Sequence, residues 1–387
     1  MWRLLRWVGA AGLLALLLAP QWRSLEQMGE TRTETLDHAG RDVLVGVSWP
    51  FAANRDGMAE GLDLALTEVN AGRSAGSPPI RLILRDDGDD WDAARAIALD
   101  FAATPGMSAV LGYHDDAVAS RASAIYEQSR LLHLVLGATG TAITSHDYRY
   151  VVRTLPPADR VAAALAHTPA AARGRRNVAI VWEEAPFAKA QSHHYRIALD
   201  ALGGQVVYQW AYSREHVDFR EPVNVMRALD VDTIFFAGSD IQAGDFLRMA
   251  RKAGLTAPVL GAFGDTPELR RRAGPALEGA VTADFYDPAS PHPENRDFVR
   301  KFRERYAREP DTWAAQGYDA LHLLARAIRS TGSSNPLDLA LAIRYMPAWE
   351  GAGGRYKFDR RGELDARPPV IRIFRDGEAV AVDDTPP

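Results

Sequence analysis

The stretch that decides the fold is Val110-Leu-Gly-Tyr-His-Asp-Asp-Ala-Val-Ala-Ser-Arg-Ala-Ser-Ala-Ile-Tyr-Glu-Gln-Ser-Arg-Leu-Leu-His-Leu-Val-Leu-Gly-Ala-Thr139. It reads as an apolar strand, a polar loop, an Ala-rich helix, a second apolar strand and a Gly-Ala-Thr turn. Such a unit places two parallel strands side by side, with the helix N-terminus directed at the crevice between their ends. In open α/β sheets small ligands bind at that crevice. The stretch therefore predicts an α/β fold built to capture a small molecule.

The alternation of strands and helices continues on both sides of this stretch. Earlier in the chain, strands are predicted at residues 43–47 and 80–84, and helices at 57–70 and 91–103. After residue 154 the pattern restarts, with strands at 177–182, 206–212, 233–237 and 259–261 and helices at 187–202, 223–229 and 241–253. Repeated βα units predict parallel sheets with right-handed connections. Two such blocks joined by an extended segment predict two doubly wound lobes.

Length, charge and cysteine content narrow the possible functions. A chain of 387 residues exceeds one ordinary core, and 47% hydrophobic with 25% charged residues is the composition of a globular protein. A net charge of −5 argues against nucleic acid as a partner, because phosphate binding needs a concentrated basic face. The absence of cysteine excludes disulfides and a lipid-modified N-terminal cysteine.

The N-terminus predicts export. Arg3 and Arg6 precede an apolar run from Trp7 to Ala19, which ends at Pro20. At about 1.5 Å per residue this run reaches only ~20 Å, short of the ~30 Å hydrocarbon core of a bilayer. We therefore predict a signal peptide over residues 1–20 and a periplasmic protein. Because no clean small-x-small cleavage site follows, retention of the segment as a membrane tether stays an alternative.

Catalytic and metal-binding motifs are absent from the sequence. There is no G-x-S-x-G elbow, H-E-x-x-H motif, P-loop or G-x-G-x-x-G fingerprint in a strand-turn-helix context. His114 and His133 lie on different predicted elements, so no spacing rule makes them metal ligands beside Asp115. We predict a protein without catalytic residues, metal or cofactor.

Several segments, taken in order and spacing, are typical of one family. They are Val45-Gly-Val-Ser-Trp-Pro50, Glu68-Val-Asn70, Arg85-Asp-Asp, Ala122-Ser-Ala-Ile-Tyr-Glu127, Gly137-Ala-Thr139, Val152-Arg-Thr154, Phe246-Leu-Arg-Met-Ala-Arg-Lys-Ala-Gly254 and Gly354-Arg-Tyr-Lys-Phe-Asp-Arg-Arg-Gly362. From about Asp42 to Ala379 the chain resembles type I periplasmic solute-binding proteins of the branched-chain amino-acid (leucine/isoleucine/valine-binding) ABC transporter family.

The resemblance implies two lobes joined by three crossover strands, with the ligand in the cleft between them. The crossings fall near residues 151–155, 282–285 and 351–356. Lobe 1 then comprises residues 42–154 and 284–350, and lobe 2 comprises residues 155–283 and 351–380. Residues 21–41 are a linker and 381–387 a tail. Ligand contacts with both lobes stabilise closure of such hinged proteins.

The site residues implied by the resemblance depart from the amino-acid pattern. Asp116 stands where the family has a Ser that holds the ligand carboxylate, so an incoming carboxylate is expected to be repelled. Phe263 stands where the family has an acidic residue for the ligand ammonium. Thr139, which follows Ala138, matches the amino-acid-binding pattern of the family. In the second lobe the two aromatic positions correspond to Phe187, which keeps a ring, and Ser239, which does not.

The first ligand loop adds two candidate ligand-binding residues, Trp49 and Asn54. Trp49 replaces a small residue and would narrow the cleft. Each candidate also has a structural alternative: Asp116 as a helix cap, Trp49 as the cover of a loop, and Phe263 as core. An aromatic-walled cleft with a fixed negative charge would suit a cationic or amide-bearing solute better than leucine.

Three functional classes follow from these observations. The favoured one is a monomeric solute-binding component that delivers a small ligand to the permease of an ABC uptake system. The second is a membrane-tethered sensor of the same fold, and the third and weakest is an enzyme.

Overall fold

The computed structural model describes residues 24–36, 42–54, 56–74, 77–173, 176–215, 217–261, 263–365 and 367–382. Within these ranges the chain forms two lobes, each with a central sheet covered by helices on both faces, and the predicted α/β fold class is confirmed. The predicted signal or tether segment, residues 1–20, lies outside the described residues. No helix within the described ranges is both long enough and apolar enough to span a membrane.

Fourteen strands and fourteen α-helices are assigned in the described part of the chain. The strands are β1 (Val43–Trp49), β2 (Ile80–Asp86), β3 (Met107–Gly112), β4 (Leu132–Val135), β5 (Val151–Arg153), β6 (Val178–Glu183), β7 (Val206–Tyr212), β8 (Thr233–Ala237), β9 (Val259–Gly261), β10 (Val281–Asp284), β11 (Trp349–Gly351), β12 (Gly354–Tyr356), β13 (Val370–Arg375) and β14 (Glu378–Ala381). The helices are α1 (residues 24–36), α2 (Phe51–Asn54), α3 (Met58–Ala71), α4 (Trp91–Ala103), α5 (Asp116–Gln128), α6 (Ala158–Ala166), α7 (Pro169–Arg173), α8 (Pro186–Ala201), α9 (Arg220–Ala228), α10 (Asp240–Lys252), α11 (Pro267–Ala273), α12 (Pro293–Tyr306), α13 (Thr312–Thr331) and α14 (Pro336–Tyr345).

Lobe 1 is built on a parallel sheet of strand order β2-β1-β3-β4-β5. Helices α3, α12, α13 and α14 pack on one face, and α4 and α5 pack on the other. The chain therefore leaves β1 toward one face and β3 toward the opposite face. This divergence opens a crevice between the carboxyl ends of β1 and β3, which is the topological switch point of the sheet.

Lobe 2 repeats the arrangement with a sheet of order β14-β13-β10-β9-β8-β6-β7. Strands β6 to β10 are parallel, and β13 and β14 add an antiparallel edge. Helices α6 and α8 cover one face, while α9, α10 and α11 cover the other. The switch-point crevice of lobe 2 therefore lies between the carboxyl ends of β6 and β8.

The crossover segments orient the two crevices toward each other. The chain leaves lobe 1 after β5 and returns to it after β10, in both cases from the carboxyl end of a parallel strand. At the first crossing the Ala158 amide donates to the Thr139 carbonyl oxygen (2.9 Å), which holds the start of α6 against the Gly-Ala-Thr turn. Both switch points consequently line one interlobe cleft.

The third crossing and one lobe boundary differ from the prediction. Residues 351–356, expected to cross between the lobes, belong instead to the hairpin of β11 and β12. Tyr356, Phe358 and Leu364 are buried in the core of lobe 1, so residues 351–364 pack with lobe 1 rather than lobe 2. The chain then crosses between Leu364 and the start of β13. The hairpin is held in place because Asp319 accepts hydrogen bonds from its turn.

The predicted linker over residues 21–41 contains a docked helix. On α1, Leu25 and Arg32 lie two turns apart on one face and are both buried. The Arg32 guanidinium donates to the carbonyl oxygens of Ser129 and Ala102, at the C-terminal ends of α5 and α4. A cation at two helix C-termini is favourable because unpaired carbonyls concentrate partial negative charge there. The prediction of a linker was wrong. The side chain that docks this helix, Arg32, is charged, so the segment lacks the apolar pattern that would have indicated a packed helix.

Replacing Arg32 by alanine is expected to lower the free energy of unfolding by about 1–3 kcal/mol, because two buried carbonyl oxygens lose their donors. Urea denaturation measures the loss, and limited proteolysis should show faster cleavage within residues 24–36. The matched control is Arg130→Ala. Arg130 forms a largely exposed 3.7 Å ion pair with Glu30, which lies on α1 like Arg32. For this control the free energy of unfolding is expected to change by less than about 0.5 kcal/mol. Equal effects of the two substitutions would contradict the docking role of Arg32.

Candidate functional site

Three aromatic rings meet at the crevice of lobe 1. Trp49 ends β1, His114 follows β3, and Trp313 begins α13. The ring centroids of Trp49 lie 5.3 Å from His114 and 5.1 Å from Trp313, and those of His114 and Trp313 lie 5.2 Å apart. We call these three residues the aromatic cluster. Trp49 is fully buried within the cluster, where Trp313 packs against its ring, and the narrowing of the cleft by Trp49 stays a prediction.

Carboxylates surround the aromatic cluster. Asp56 accepts from the Trp49 indole nitrogen (2.9 Å), and Asp89 lies 3.0 Å from His114 Nδ1. Burial raises the pKa of Asp56, although its hydrogen bonds act in the opposite direction. Burial alone would lower the pKa of His114, but the hydrogen bond and charge of Asp89, with Asp56 and Asp115 nearby, raise it overall. This crevice therefore stabilises positive charge.

Asp116 has a role that neither sequence alternative anticipated. Its Oδ1 accepts from the backbone amides of Thr139 (2.7 Å) and Gly140 (3.0 Å), so it ties the start of α5 to the turn after β4. Burial raises the pKa of Asp116, and these amide hydrogen bonds partly offset that shift. The cap of α5 is Asp115, which accepts from the amides of Ala117 and Val118. The capping alternative for Asp116 is therefore wrong.

Thr139 is the best-placed ligand-binding candidate of lobe 1. Ala138 and Thr139 are buried, with 1% and 3% of their surface exposed. The backbone of Thr139 bonds to Asp116 and Ala158, but its side-chain Oγ1 has no hydrogen-bond partner among the residues that the structure describes. A buried hydroxyl without a partner is costly, and a ligand group can satisfy it. Asn54 lies at the end of α2, half-buried, with its backbone amide bonded to Pro50.

Substituting Thr139 by valine tests this assignment. Because the hydroxyl has no partner in the described part of the chain, the free energy of unfolding should change by less than about 1 kcal/mol, whereas ligand affinity should fall about tenfold. Thr154→Val is the matched control, since the Thr154 hydroxyl donates to the Val135 carbonyl oxygen (3.0 Å). That variant should lose about 1–3 kcal/mol in urea denaturation. A Thr139 variant as unstable as the control would show that its hydroxyl is used by the fold.

The predicted residues of lobe 2 separate into three environments. Phe187, near the start of α8, is half-buried beside the crevice. Ser239 caps α10, so its hydroxyl is engaged by Gln242. Phe263 is 2% exposed and belongs to the core of lobe 2. Its core alternative is therefore correct, and the predicted aromatic wall of Trp49, Phe187 and Phe263 is not brought together.

Sequence reasoning missed two residues of the lobe 2 crevice. Glu183 ends β6, and Tyr212 ends β7 as its partner in the parallel ladder. Both are nearly fully buried, at 5% and 3% exposure. The available signal was a charged residue at the end of the apolar strand Val178-Ala-Ile-Val-Trp-Glu183, which is unusual for a side chain that becomes buried.

His114 and His133 have separate hydrogen-bond partners. His133 is buried, with Nε2 3.0 Å from the Gly112 carbonyl oxygen and Nδ1 3.1 Å from Ser123 Oγ. Burial lowers the pKa of His133 to about 3, and it stays neutral. His114 is paired with Asp89 instead. Throughout the described ranges, no group of three or more histidine or acidic side chains is arranged to hold a metal ion.

A second concavity lies away from the cleft. This surface cavity of about 600 Å³ adjoins α1 and the C-terminal end of α5, and Glu26, Thr33 and Arg130 are among its lining residues. Because α5 begins at the lobe 1 crevice, its C-terminal end is at the opposite side of the lobe. The cavity is therefore separate from the candidate site.

Two α/β lobes with facing switch points, and a buried Thr139 hydroxyl that no described residue satisfies, define a bilobed solute-binding protein. The sequence profile of the periplasmic binding protein family matches residues 43–370, and the chain belongs to this family. Membership implies a periplasmic location. The match spans both lobes and confirms the family predicted from sequence.

Individual relatives agree with this assignment. The chain is 25% identical over 342 residues to Leu/Ile/Val-binding protein homolog 2 of Brucella abortus, covering 87% of this chain and 91% of the relative. It is similar in structure to an ABC transporter substrate-binding protein from Desulfitobacterium hafniense in complex with Leu, with a TM-score of 0.79, 28% identity, and coverage of 88% of this chain and 100% of that one.

A solute-binding protein of an ABC transporter from Rhodopseudomonas palustris BisB5, solved with 3,4-dihydroxybenzoic acid, shares the fold at a TM-score of 0.74 and 23% identity, over 88% of this chain and 96% of that one. These relatives are solute-binding proteins rather than enzymes. Their bound molecules differ between an amino acid and an aromatic acid, so the fold alone does not assign a ligand.

Proposed function

We propose that this protein captures a small polar solute between its lobes in the periplasm and delivers it to the permease of an ABC-type uptake transporter. The family and the ABC transporter relatives support the transport role. The cleft supports a binding role, because its buried hydroxyl and helix N-termini converge where family members close around ligands. No catalytic step is part of the proposal, and the protein acts as a monomer.

The ligand that we propose is cationic or amide-bearing rather than a branched-chain amino acid. The observation that carries this proposal is the acidic surrounding of the aromatic cluster, where Asp56 and Asp89 lie beside the rings. Aromatic faces and carboxylates both attract cations. In addition, the position expected to hold a ligand ammonium, Phe263, is core and provides no charge.

Isothermal titration calorimetry of the purified protein tests the ligand class. Leucine, urea, acetamide, putrescine and butylamine form a suitable panel, titrated at low and at physiological salt. Binding of an amine or amide with weak or absent leucine binding is the expected result. Tight leucine binding without a response to amines or amides would defeat the ligand proposal while leaving the transport role intact.

A membrane-tethered sensor is the second candidate. It is favoured by the docking of α1, because the Arg32 contacts fix the segment directly after residues 1–23 to lobe 1. Mass spectrometry of the mature N-terminus, in soluble and membrane fractions, discriminates the two roles in part. Retention of residues 1–20 in the membrane fraction would favour the sensor, and a soluble, processed protein would favour transport.

A further inference from the structure

The lobe 2 crevice contains a buried carboxylate, Glu183, whose ion-pair partner is largely exposed to solvent. Glu183 Oε1 accepts from Arg214 Nε at 2.7 Å, but the Arg214 side chain is 65% exposed. Among the residues that the structure describes, the other oxygen, Oε2, has one long 3.4 Å contact, with the Ser239 amide. Glu183 therefore keeps acceptor capacity at the switch point, and its partner can swing into solvent.

A buried phenol without a partner lies on the same strand pair. Because Glu183 and Tyr212 are paired in the parallel ladder, their side chains emerge on the same face of the sheet. The Tyr212 hydroxyl has no hydrogen-bond partner among the described residues. The Tyr212 ring belongs to the core of lobe 2, like that of Phe263, but its hydroxyl lies over Gly238, where a Cβ would collide with the phenol oxygen. Burial and the charge of Glu183 raise the pKa of Tyr212, so the phenol stays protonated.

We propose that Glu183 and Tyr212 form the part of the binding site in lobe 2 that binds the positively charged end of the ligand, which displaces Arg214. This proposal rests on the proposed solute-binding function and deepens it by naming the ligand class as an amine, an ammonium-bearing molecule with a net positive charge. An ammonium group has donors only, and it would meet two acceptors here, the weakly bonded Glu183 Oε2 and the Tyr212 oxygen. In the structure the Arg214 guanidinium occupies the place of that cation.

An anionic group fits this position poorly. The start of α10, which would otherwise attract an anion, already faces Glu183 through the Ser239 amide. A ligand carboxylate arriving there would meet the buried negative charge of Glu183 at close range. The alternative for Glu183 is a purely structural role at the α10 N-terminus, and the two roles predict different responses to the loss of Arg214.

Two substitutions with opposite expected effects provide the test. Glu183→Gln keeps the shape and removes the charge, and should weaken putrescine binding about 30-fold or more in calorimetry. Arg214→Gln removes the competing cation and should strengthen it about threefold to tenfold. Tyr212→Phe should weaken it without lowering the melting temperature, because its hydroxyl makes no contact that the fold uses. Arg220→Gln, which breaks the exposed pair with Asp218 in the same lobe, should leave affinity unchanged.

The outcomes separate this proposal from the proposed function. Suppose that the unsubstituted protein binds putrescine. If Glu183→Gln leaves that affinity unchanged, or if Glu183→Gln and Arg214→Gln both weaken it, the lobe 2 assignment is overturned and the solute-binding role stands. If the unsubstituted protein binds leucine and no amine, the cationic ligand class fails. The lobe 2 assignment fails with it when Glu183→Gln leaves the leucine affinity unchanged, because leucine also carries an ammonium group. Circular dichroism melting of each variant identifies a loss of affinity that is caused by unfolding.

Discussion

Replacing Asp319 by alanine is expected to lower the free energy of unfolding by about 3–5 kcal/mol at pH 7, because a buried network loses its central acceptor. Asp319, on α13, accepts from the amides of Ala352 and Gly353 (both 2.7 Å) and from the Tyr356 hydroxyl (2.9 Å). All three donors would lose their acceptor, and the Tyr356 hydroxyl would keep only the hydrogen bond that it accepts from Arg367. Urea denaturation measures the change, and fluorescence of Trp349, in the same hairpin, should report its loosening.

The control for this prediction is Asp365→Ala. Asp365 lies in the third crossover and pairs with Arg160, but both side chains are largely exposed, at 58% and 41%. A change of about 1 kcal/mol or less is expected there. If both variants lose the same stability, the buried network does not hold the hairpin.

Asp319 also predicts a pH dependence. Burial, partly offset by its hydrogen bonds and by Arg367, raises its pKa from 3.8 to about 6 in the folded protein. The folded state then binds the proton more tightly than the unfolded chain, so stability from this group is present below about pH 4 and is lost as pH rises to about 6. At about 1.36 kcal/mol per pKa unit, the loss is about 3 kcal/mol. Asp319→Asn should abolish this part of the pH profile of unfolding.

Replacing Glu363 by alanine is expected to cost about 3–5 kcal/mol, because it leaves a fully buried guanidinium without its counter-charge. The Arg153 side chain has no exposed surface, and its Nε lies 3.0 Å from Glu363 Oε1, with a second, shorter contact to Oε2. Glu363 also accepts from Thr144. Arg153 in turn donates to the Gly140 carbonyl oxygen beside Thr139, so ligand binding should weaken as well.

A double-mutant cycle checks the origin of that loss. Arg153→Met with Glu363→Leu removes both charges and keeps apolar volume, so the double variant should be more stable than the sum of the single losses implies. Chemical denaturation of the four proteins gives the coupling free energy. Additive losses would mean that the two side chains act independently, contrary to their bidentate contact.

The order of elements was predictable because it depends on local patterns. The stretch from Val110 to Thr139 becomes β3, α5 and β4 within a few residues of the prediction, since apolar runs and Ala-rich segments carry their own periodicity. The helix α1 was missed because Arg32 is its main docking residue, and an arginine on a buried face breaks the amphipathic pattern.

The site was less predictable because its side chains depend on distant contacts. Trp49 is covered by Trp313, which lies 264 positions later in the chain, and no local pattern indicates this contact. Comparison with the family pattern identified Phe263 and Asp116 as candidates. It could not show that Phe263 faces the core or that Asp116 binds the turn at Thr139. Thr139 itself was identified because its turn follows directly from the strand end.

The described ends of the chain lie in different lobes, and this makes closure directly measurable. Helix α1 is held on lobe 1 by Arg32, and β14 is hydrogen-bonded into the edge of the lobe 2 sheet. Since the sequence contains no cysteine, Gln27→Cys with Ala381→Cys introduces two unique attachment points for dyes at exposed positions. The distance between a donor and an acceptor fluorophore at these points changes whenever one lobe rotates against the other, so energy transfer in single molecules reports the population of closed protein before any ligand has been identified.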